Sequence, residues 1–356
     1  MFNPDTLTLR EMAGLLRRGV LTSVDLLEFY LQRIAERNPQ INALIQLESV
    51  DELRRQAREA DEMARIGQIR GPLHGIPMTI KDVCHVRGFR MSRGLEELLG
   101  EASQEDATVV ARLRQAGAII LGITNVPELC MAFETDNLLY GRTLNPYDGQ
   151  RSAGGSSGGE AAAIAAGCSP AGLASDACGS VRIPAHFNGI CGMKLTQGRV
   201  PLTGQFPNDR SGLFHLTSAF GVMGRYVDDL ALLGQLISGA DGHDPDTVDV
   251  PFADSQPLAQ LRVALSWEST RTRVSPAVKQ VLQRVESCLS SVVAQVTPTA
   301  PQMLDEACDV LWRVFHHGRG CRAWLEASVP VHGQTDLYAC HHRVDSLERR
   351  GRIERG

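Results

Sequence analysis

No run in this 356-residue chain is apolar over the length of a membrane span, and Met1-Phe2-Asn3-Pro4-Asp5 carries neither the basic segment nor the apolar core of a secretory leader. These absences lead to the expectation of a cytoplasmic protein without a transmembrane segment. An excess of one charge is lacking too: 36 Lys and Arg stand against 41 Asp and Glu, a net charge of -5 spread along the chain. That balance leaves no electrostatic footprint for nucleic acid or an anionic membrane surface, and fits a small substrate that is uncharged or of mixed character. The nine cysteines are odd in number and contain no C-x-x-C pair, which argues against a disulfide framework and against a tetrathiolate zinc site; most read as small buried hydrophobes. Internal repeats and low-complexity tracts are absent. What remains is an ordinary globular composition, 43% apolar and 22% charged, enough to build a core.

Helical and extended patterns alternate along the chain. Thr22-Ser23-Val24-Asp25 reads as a capping box ahead of Val24, Leu27, Leu31 and Ile34 at helical spacing, and a second helix is expected from Val50 to about Ile66. After the break at Gly71-Pro72-Leu73-His74-Gly75, Ile76 to Ile80 runs extended into Lys81. Val109, Val110 and Leu113 mark a helix and Gly117 to Gly122 a buried strand; Glu160 to Ala166 is helical and Ala171 to Ser175 a small-residue strand. Ser218 to Gly239 reads as a helical return, Val263-Ala264-Leu265 as a strand, and Val278, Leu282, Val285 and Leu289 as an amphipathic helix. Beyond about Pro298 only Met303 to Phe315 has helical period. The alternation predicts an α/β protein with a mixed central sheet covered by helices on both faces and reactive residues at strand ends.

The chemistry concentrates in three segments: Lys81-Asp82; Gly154-Gly155-Ser156-Ser157-Gly158-Gly159-Glu160; and Asp176-Ala177-Cys178-Gly179-Ser180-Val181-Arg182-Ile183-Pro184. A glycine-serine loop before a helix can bind phosphate through helix N-terminal amides, but no Gly-Lys-Ser/Thr follows, which removes the P-loop reading. Together with Gly75-Ile76-Pro77, Thr124-Asn125, Asn145-Pro146-Tyr147-Asp148 and Gly192-Met193-Lys194, these segments resemble the amidase signature family of C-N hydrolases, from about Gly71 to Leu230. The resemblance implies the amidase signature fold over residues 1–300, followed by an irregular, partly helical segment over 301–356, with the C-terminal part of the family's catalytic domain incomplete. Within the family, Glu128-Leu129-Cys130-Met131, Asn137, Tyr140-Gly141-Arg142 and Gly204-Gln205-Phe206-Pro207 look most like the fatty-acid amide hydrolase 2 branch and bacterial amidases. The A subunit of glutamyl-tRNA amidotransferase is a weaker match, because Ile183 stands where a glutamine usually follows the arginine of the nucleophile motif.

The roles implied by the resemblance are Ser180 as nucleophile, Ser156 as proton relay behind a cis peptide, and Lys81 as the base, with the backbone N–H groups of Ala177, Cys178, Gly179 and Ser180 as oxyanion hole. A lysine serves as base only where burial favours its neutral form, and a buried strand end supplies that. Asp176 and Arg182 are expected as a structural ion pair, and Ser157 either as a hydrogen-bond partner within the site or as the cap of the following helix. Cys178 replaces a glycine usual in the family and would be strained if the position required a positive φ. The implied activity is hydrolysis of a carboxylic amide through an acyl-enzyme, without cofactor or metal, on a small-molecule amide; a homodimer is the one protein assembly considered. The alternative expectation is a catalytically impaired homologue that acts as a binding protein. His316-His317 and Cys340-His341-His342 lack the further partners of a metal site, and Asp241, Asp244, Asp246 and Asp249 read as a polar turn.

Overall fold

A computed structural model describes residues 3–206, 216–252, 256–266, 273–299 and 303–312. Contacts divide the described residues into two units, one within Met1–Val250, the other within Pro251–Glu326.

In the first unit, α1 (Leu9–Arg17) precedes α2 (Ser23–Ile41), which Thr22 caps by accepting the Asp25 amide at 3.0 Å. The Asp61 carboxylate accepts the Ser23 and Val24 amides at the same helix start, so the exposed N–H groups are shared between two helices. β1 (Leu44–Leu47), α3 (Val50–Arg65), β2 (Pro77–Lys81), α4 (Thr108–Gln115) and β3 (Ile119–Thr124) follow. A small hairpin, β4 (Leu144–Asn145) with β5 (Asp148–Ser152), leads into α5 (Gly158–Ala165); then come β6 (Ala171–Asp176), α6 (Arg182–Asn188), β7 (Cys191–Lys194), β8 (Ala219–Gly224) and α7 (Val227–Ile237).

Six of these strands form one mixed sheet in the order β1-β3-β2-β6-β8-β7. β3, β2 and β6 run parallel at its centre, and β1, β8 and β7 each run antiparallel to their neighbours. All five residues of β2 are buried, so both sheet faces are covered, as expected for a parallel core. Thr79 and Lys81 share one face, and Met78 and Ile80 the other. The alanine-rich α5 packs against β1, β2, β3, β6 and β8, and its glycines allow this approach: a Cβ on Gly159 would lie 2.4 Å from the Asn125 nitrogen.

The expected helical return over Ser218–Gly239 is corrected by the structure. Its first part is β8, fully buried between β6 and β7, and only Val227–Ile237 is helical. A strand buried on both faces shows no alternation, and Ala-Phe-Gly-Val-Met-Gly therefore lacks the period that marks a strand. β1 and β7 escaped the pattern reading for a related reason, being four residues each.

The second unit contains a parallel pair, β9 (Arg262–Leu265) with β10 (Gln295–Pro298), joined through α8 (Pro276–Ser290), and then α9 (Leu304–Trp312). Ser275 caps α8 by accepting the Val278 amide. Residues 313–315 of the expected last helix, the two His clusters and the C-terminal residues lie outside the described residues. Among the described residues no helix is long and apolar enough to cross a membrane.

Candidate active site

Parallel strands β2 and β6 end side by side and bring Lys81 against Ser175. The Lys81 side chain is fully buried, and its Nζ lies 2.8 Å from Ser156 Oγ, 3.0 Å from Ser175 Oγ and 3.3 Å from the Ser175 carbonyl. Burial holds its pKa below the usual 10.5. A neutral amine has two hydrogens and one lone pair. With the hydrogens directed to the two Ser175 oxygens, the lone pair is left for the Ser156 hydroxyl.

Ser156 follows a cis Gly155–Ser156 peptide in the loop that opens α5. Ser157 makes no side-chain cap; its hydroxyl donates to the Ser175 carbonyl at 3.3 Å, and its amide donates to the Ser180 carbonyl at 3.2 Å. The serine loop is thus tied by backbone to the segment carrying Ser180. Among the described residues no hydrogen bond joins Ser156 Oγ to Ser180 Oγ.

The turn from Asp176 to Arg182 is organised by one buried carboxylate. Asp176 accepts the Gly179 amide at 2.7 Å, the Val181 amide at 3.1 Å and the Arg182 guanidinium at 3.0 Å through both Nε and Nη2. Burial pushes its pKa up, but the Arg182 bonds and backbone amides outweigh it and hold the carboxyl below its usual range. Of the four amides expected to face an oxyanion, that of Gly179 is therefore directed to Asp176 instead. The positive φ in this turn, +119°, belongs to Gly179, where a Cβ would meet Ile183 Cδ1 at 2.7 Å. Cys178 is not among the residues with positive φ, so the condition under which it would be strained is not met. Cys178→Gly should accordingly change kcat/KM for an amide by less than about threefold while costing about 0.5–1 kcal/mol in stability through the freer unfolded chain. A gain of an order of magnitude in kcat/KM would show that the thiol obstructs the site.

Three neighbours of the site carried no signal that singled them out. Ser175 is one small residue in a strand of small residues. Cys130 belongs to a loop in which Leu129 and Cys130 are consecutive non-glycine residues with positive φ, 53° and 60°. Burial pushes its thiol up, and the Lys81 charge acts against that shift. Glu160, on the first turn of α5, has no exposed surface and takes hydroxyls from Thr79 and Thr124 on the sheet face that also carries Lys81. Thr124 Oγ1 lies 2.9 Å from Glu160 Oε2 and 3.4 Å from the Ile80 carbonyl, so a protonated Glu160 can donate to Thr124 while Thr124 donates onward.

Burial raises the Glu160 carboxyl from 4.5 to about 8. The folded chain then keeps a proton that the unfolded chain releases near pH 4.5, so stability falls as pH rises from 4.5 toward 8. Glu160→Gln keeps shape and donor and removes this slope. The difference in Tm, variant minus wild type, should grow across that window by the equivalent of a few kcal/mol. A constant difference would mean that Glu160 is ionised throughout.

Among the described residues no group of three or more His, Cys, Asp or Glu is placed to hold a metal ion. The acidic run after α7 is a hydrogen-bonded turn, in which Asp241 accepts the His243 and Asp244 amides and Asp249 the Ala240 amide.

The chain is similar to the indoleacetamide hydrolase of Bradyrhizobium diazoefficiens, 38% identical over 275 residues that cover 77% of this chain and 52% of that protein. It is similar to human fatty-acid amide hydrolase 2, 41% identical over 236 residues, 64% of this chain and 44% of the relative. It thus spans about half the length of these curated relatives. Among solved structures, the peptide amidase of Stenotrophomonas maltophilia superposes with a TM-score of 0.78 at 27% identity, covering 96% of this chain and 72% of that one. Residues 25–324 match the amidase family, and with this sheet and these relatives the chain belongs to the amidase family.

Proposed function

We propose that the chain hydrolyses a carboxylic amide C–N bond through an acyl-enzyme on Ser180. The observation that carries this reading is a lysine without exposed surface whose Nζ is 2.8 Å from the hydroxyl of Ser156, in a loop tied to the Ser180 segment. The names of the relatives, indoleacetamide hydrolase and fatty-acid amide hydrolase 2, point to the same bond.

In this reading Lys81 takes the Ser156 proton as Ser156 takes that of Ser180, whose Oγ attacks the amide carbon. The negative oxygen is met by amides of the turn that Asp176 holds, Ala177 and Ser180 foremost, and loss of one such donor costs about 10² to 10³ in rate. Lys81, now an ammonium, returns its proton through Ser156 to the departing amine, and water cleaves the ester by the reverse path. Bonds of this kind commonly tighten only when substrate is bound, which accommodates the missing Ser156–Ser180 contact.

The test is chemical labelling. A fluorophosphonate should modify the purified, folded chain at Ser180, located by mass spectrometry, and Lys81→Ala should abolish the adduct. A chain that is folded by circular dichroism but unlabelled at Ser180 overturns the reading.

A further inference from the structure

Arg93 is a partly buried cation near this site that the chemistry above does not use. Its backbone has a positive φ of 55°, unusual for a side chain of this size. Two hydrogen bonds hold it there. Its amide donates to Asp82 Oδ2 at 2.8 Å, and its carbonyl accepts the Leu129 amide at 2.8 Å. Asp82 directly follows Lys81, and Leu129 directly precedes Cys130, whose thiol feels the Lys81 charge. Both anchors of Arg93 therefore lie one residue from Lys81 or from a group beside it.

The guanidinium carbon lies 4.2 Å from the centroid of the Phe206 ring, and Phe206 is tied by its amide to the Val83 carbonyl at 2.7 Å. Stacking covers one face of the guanidinium and leaves its in-plane N–H fork for a partner. Among the described residues none takes that fork: Nε is buried without a hydrogen bond, and no carboxylate forms a close ion pair with Arg93. Asp82 acts on the guanidinium through its charge alone: its oxygens take the amides of Ser92 and Arg93 and the Ser92 hydroxyl, and none of its hydrogen bonds goes to the Arg93 side chain. A half-buried guanidinium whose buried Nε has no hydrogen bond is costly, and burial pulls its pKa down. Retaining arginine in such a place makes sense where an anion arrives from outside.

We propose that Arg93 is a specificity residue that receives a carboxylate carried by the substrate, so that the preferred amides are monoamides of dicarboxylic acids and comparable carboxylated amides. This rests on the amide-hydrolase reading above.

Two measurements separate the two proposals. Calorimetric titration of the Ser180→Ala chain with succinamate and glutaramate, against butanamide and pentanamide as neutral counterparts, tests Arg93 without turnover. At least one carboxylated amide should bind about 10- to 100-fold more tightly than its neutral counterpart, as one charged hydrogen-bonded contact provides. Arg93→Met should abolish that preference, and Arg93→Lys should restore part of it. Equal binding of charged and neutral amides, no binding by either carboxylated amide, or an undiminished preference in Arg93→Met overturns the proposal. Acetate binding as tightly as the carboxylated amides also overturns it, since the site would then hold any small anion. Turnover of the same amides by the unmodified chain, with the loss on Arg93→Met falling on KM for charged amides only, reads the catalytic side. A chain that binds succinamate through Arg93 but neither hydrolyses an amide nor labels at Ser180 would fail as a hydrolase and keep the Arg93 site.

Discussion

Replacing Lys81 with alanine is expected to lower kcat for amide hydrolysis by about 10³- to 10⁴-fold, with KM nearly unchanged. Among the described residues Lys81 is the one side chain that hydrogen-bonds both Ser156 and Ser175, and no other lysine or histidine lies within hydrogen-bond reach of Ser156. The wild-type profile should rise with pH as the amine loses its proton. Because burial lowers that pKa, the rise should finish below the range of an exposed lysine, near 10.5, and the limb should vanish in the variant. A second substitution separates chemistry from folding. A buried lysine disfavours the fold below pH 10.5, where the unfolded chain binds the proton that the folded chain gives up, so stability rises with pH through this group. Lys81→Met fills a similar volume without that cost and should be inactive yet unfold at a higher Tm near neutral pH. Retention of even a tenth of the activity in either variant would remove Lys81 from the mechanism.

Asp176→Ala should cost about 10²-fold or more in kcat and destabilise the fold by about 2–4 kcal/mol. The energy does not come mainly from the ion pair, since more than half of the Arg182 side chain is in water and such pairs contribute little. It comes from the amides of Gly179 and Val181, which lose their acceptor in a buried turn. Without that acceptor the turn loses the geometry that aims Ser180 and its neighbouring amides. Asp176→Asn keeps one carbonyl acceptor and should retain more of both activity and stability. The check is kcat and chemical denaturation on the same preparations; an Asp176→Ala chain with wild-type kcat would show that the turn holds itself.

Much of the centre of the fold was legible because its elements carry strong local signals. β2, β3 and β6 are extended runs bounded by glycine or by helices with clear period, and α3 was expected within one residue of its observed Val50–Arg65. β8 was not legible, since burial on both faces erases alternation. Lys81, Ser156 and Ser180 were visible as motif residues, and the structure brings Lys81 to Ser156 and ties the serine loop to the Ser180 segment. The contacts of Arg93, Ser175 and Glu160 were not visible. Each joins residues far apart in the chain, such as Glu160 with Thr79, and no local pattern encodes such a contact. The concern over Cys178 misplaced a conformational demand by one residue: glycine is required at 179, and the chain supplies it there.

The complete burial of Lys81 governs where a proton can travel. With no surface of its own in water, the amine exchanges hydrogen with its surroundings through the hydroxyls that enclose it, and Ser156 is the one that leads toward Ser180. In the proposed reaction a proton taken from Ser180 is thereby kept in a closed store until the leaving amine claims it, and buffer has no direct access to intercept it.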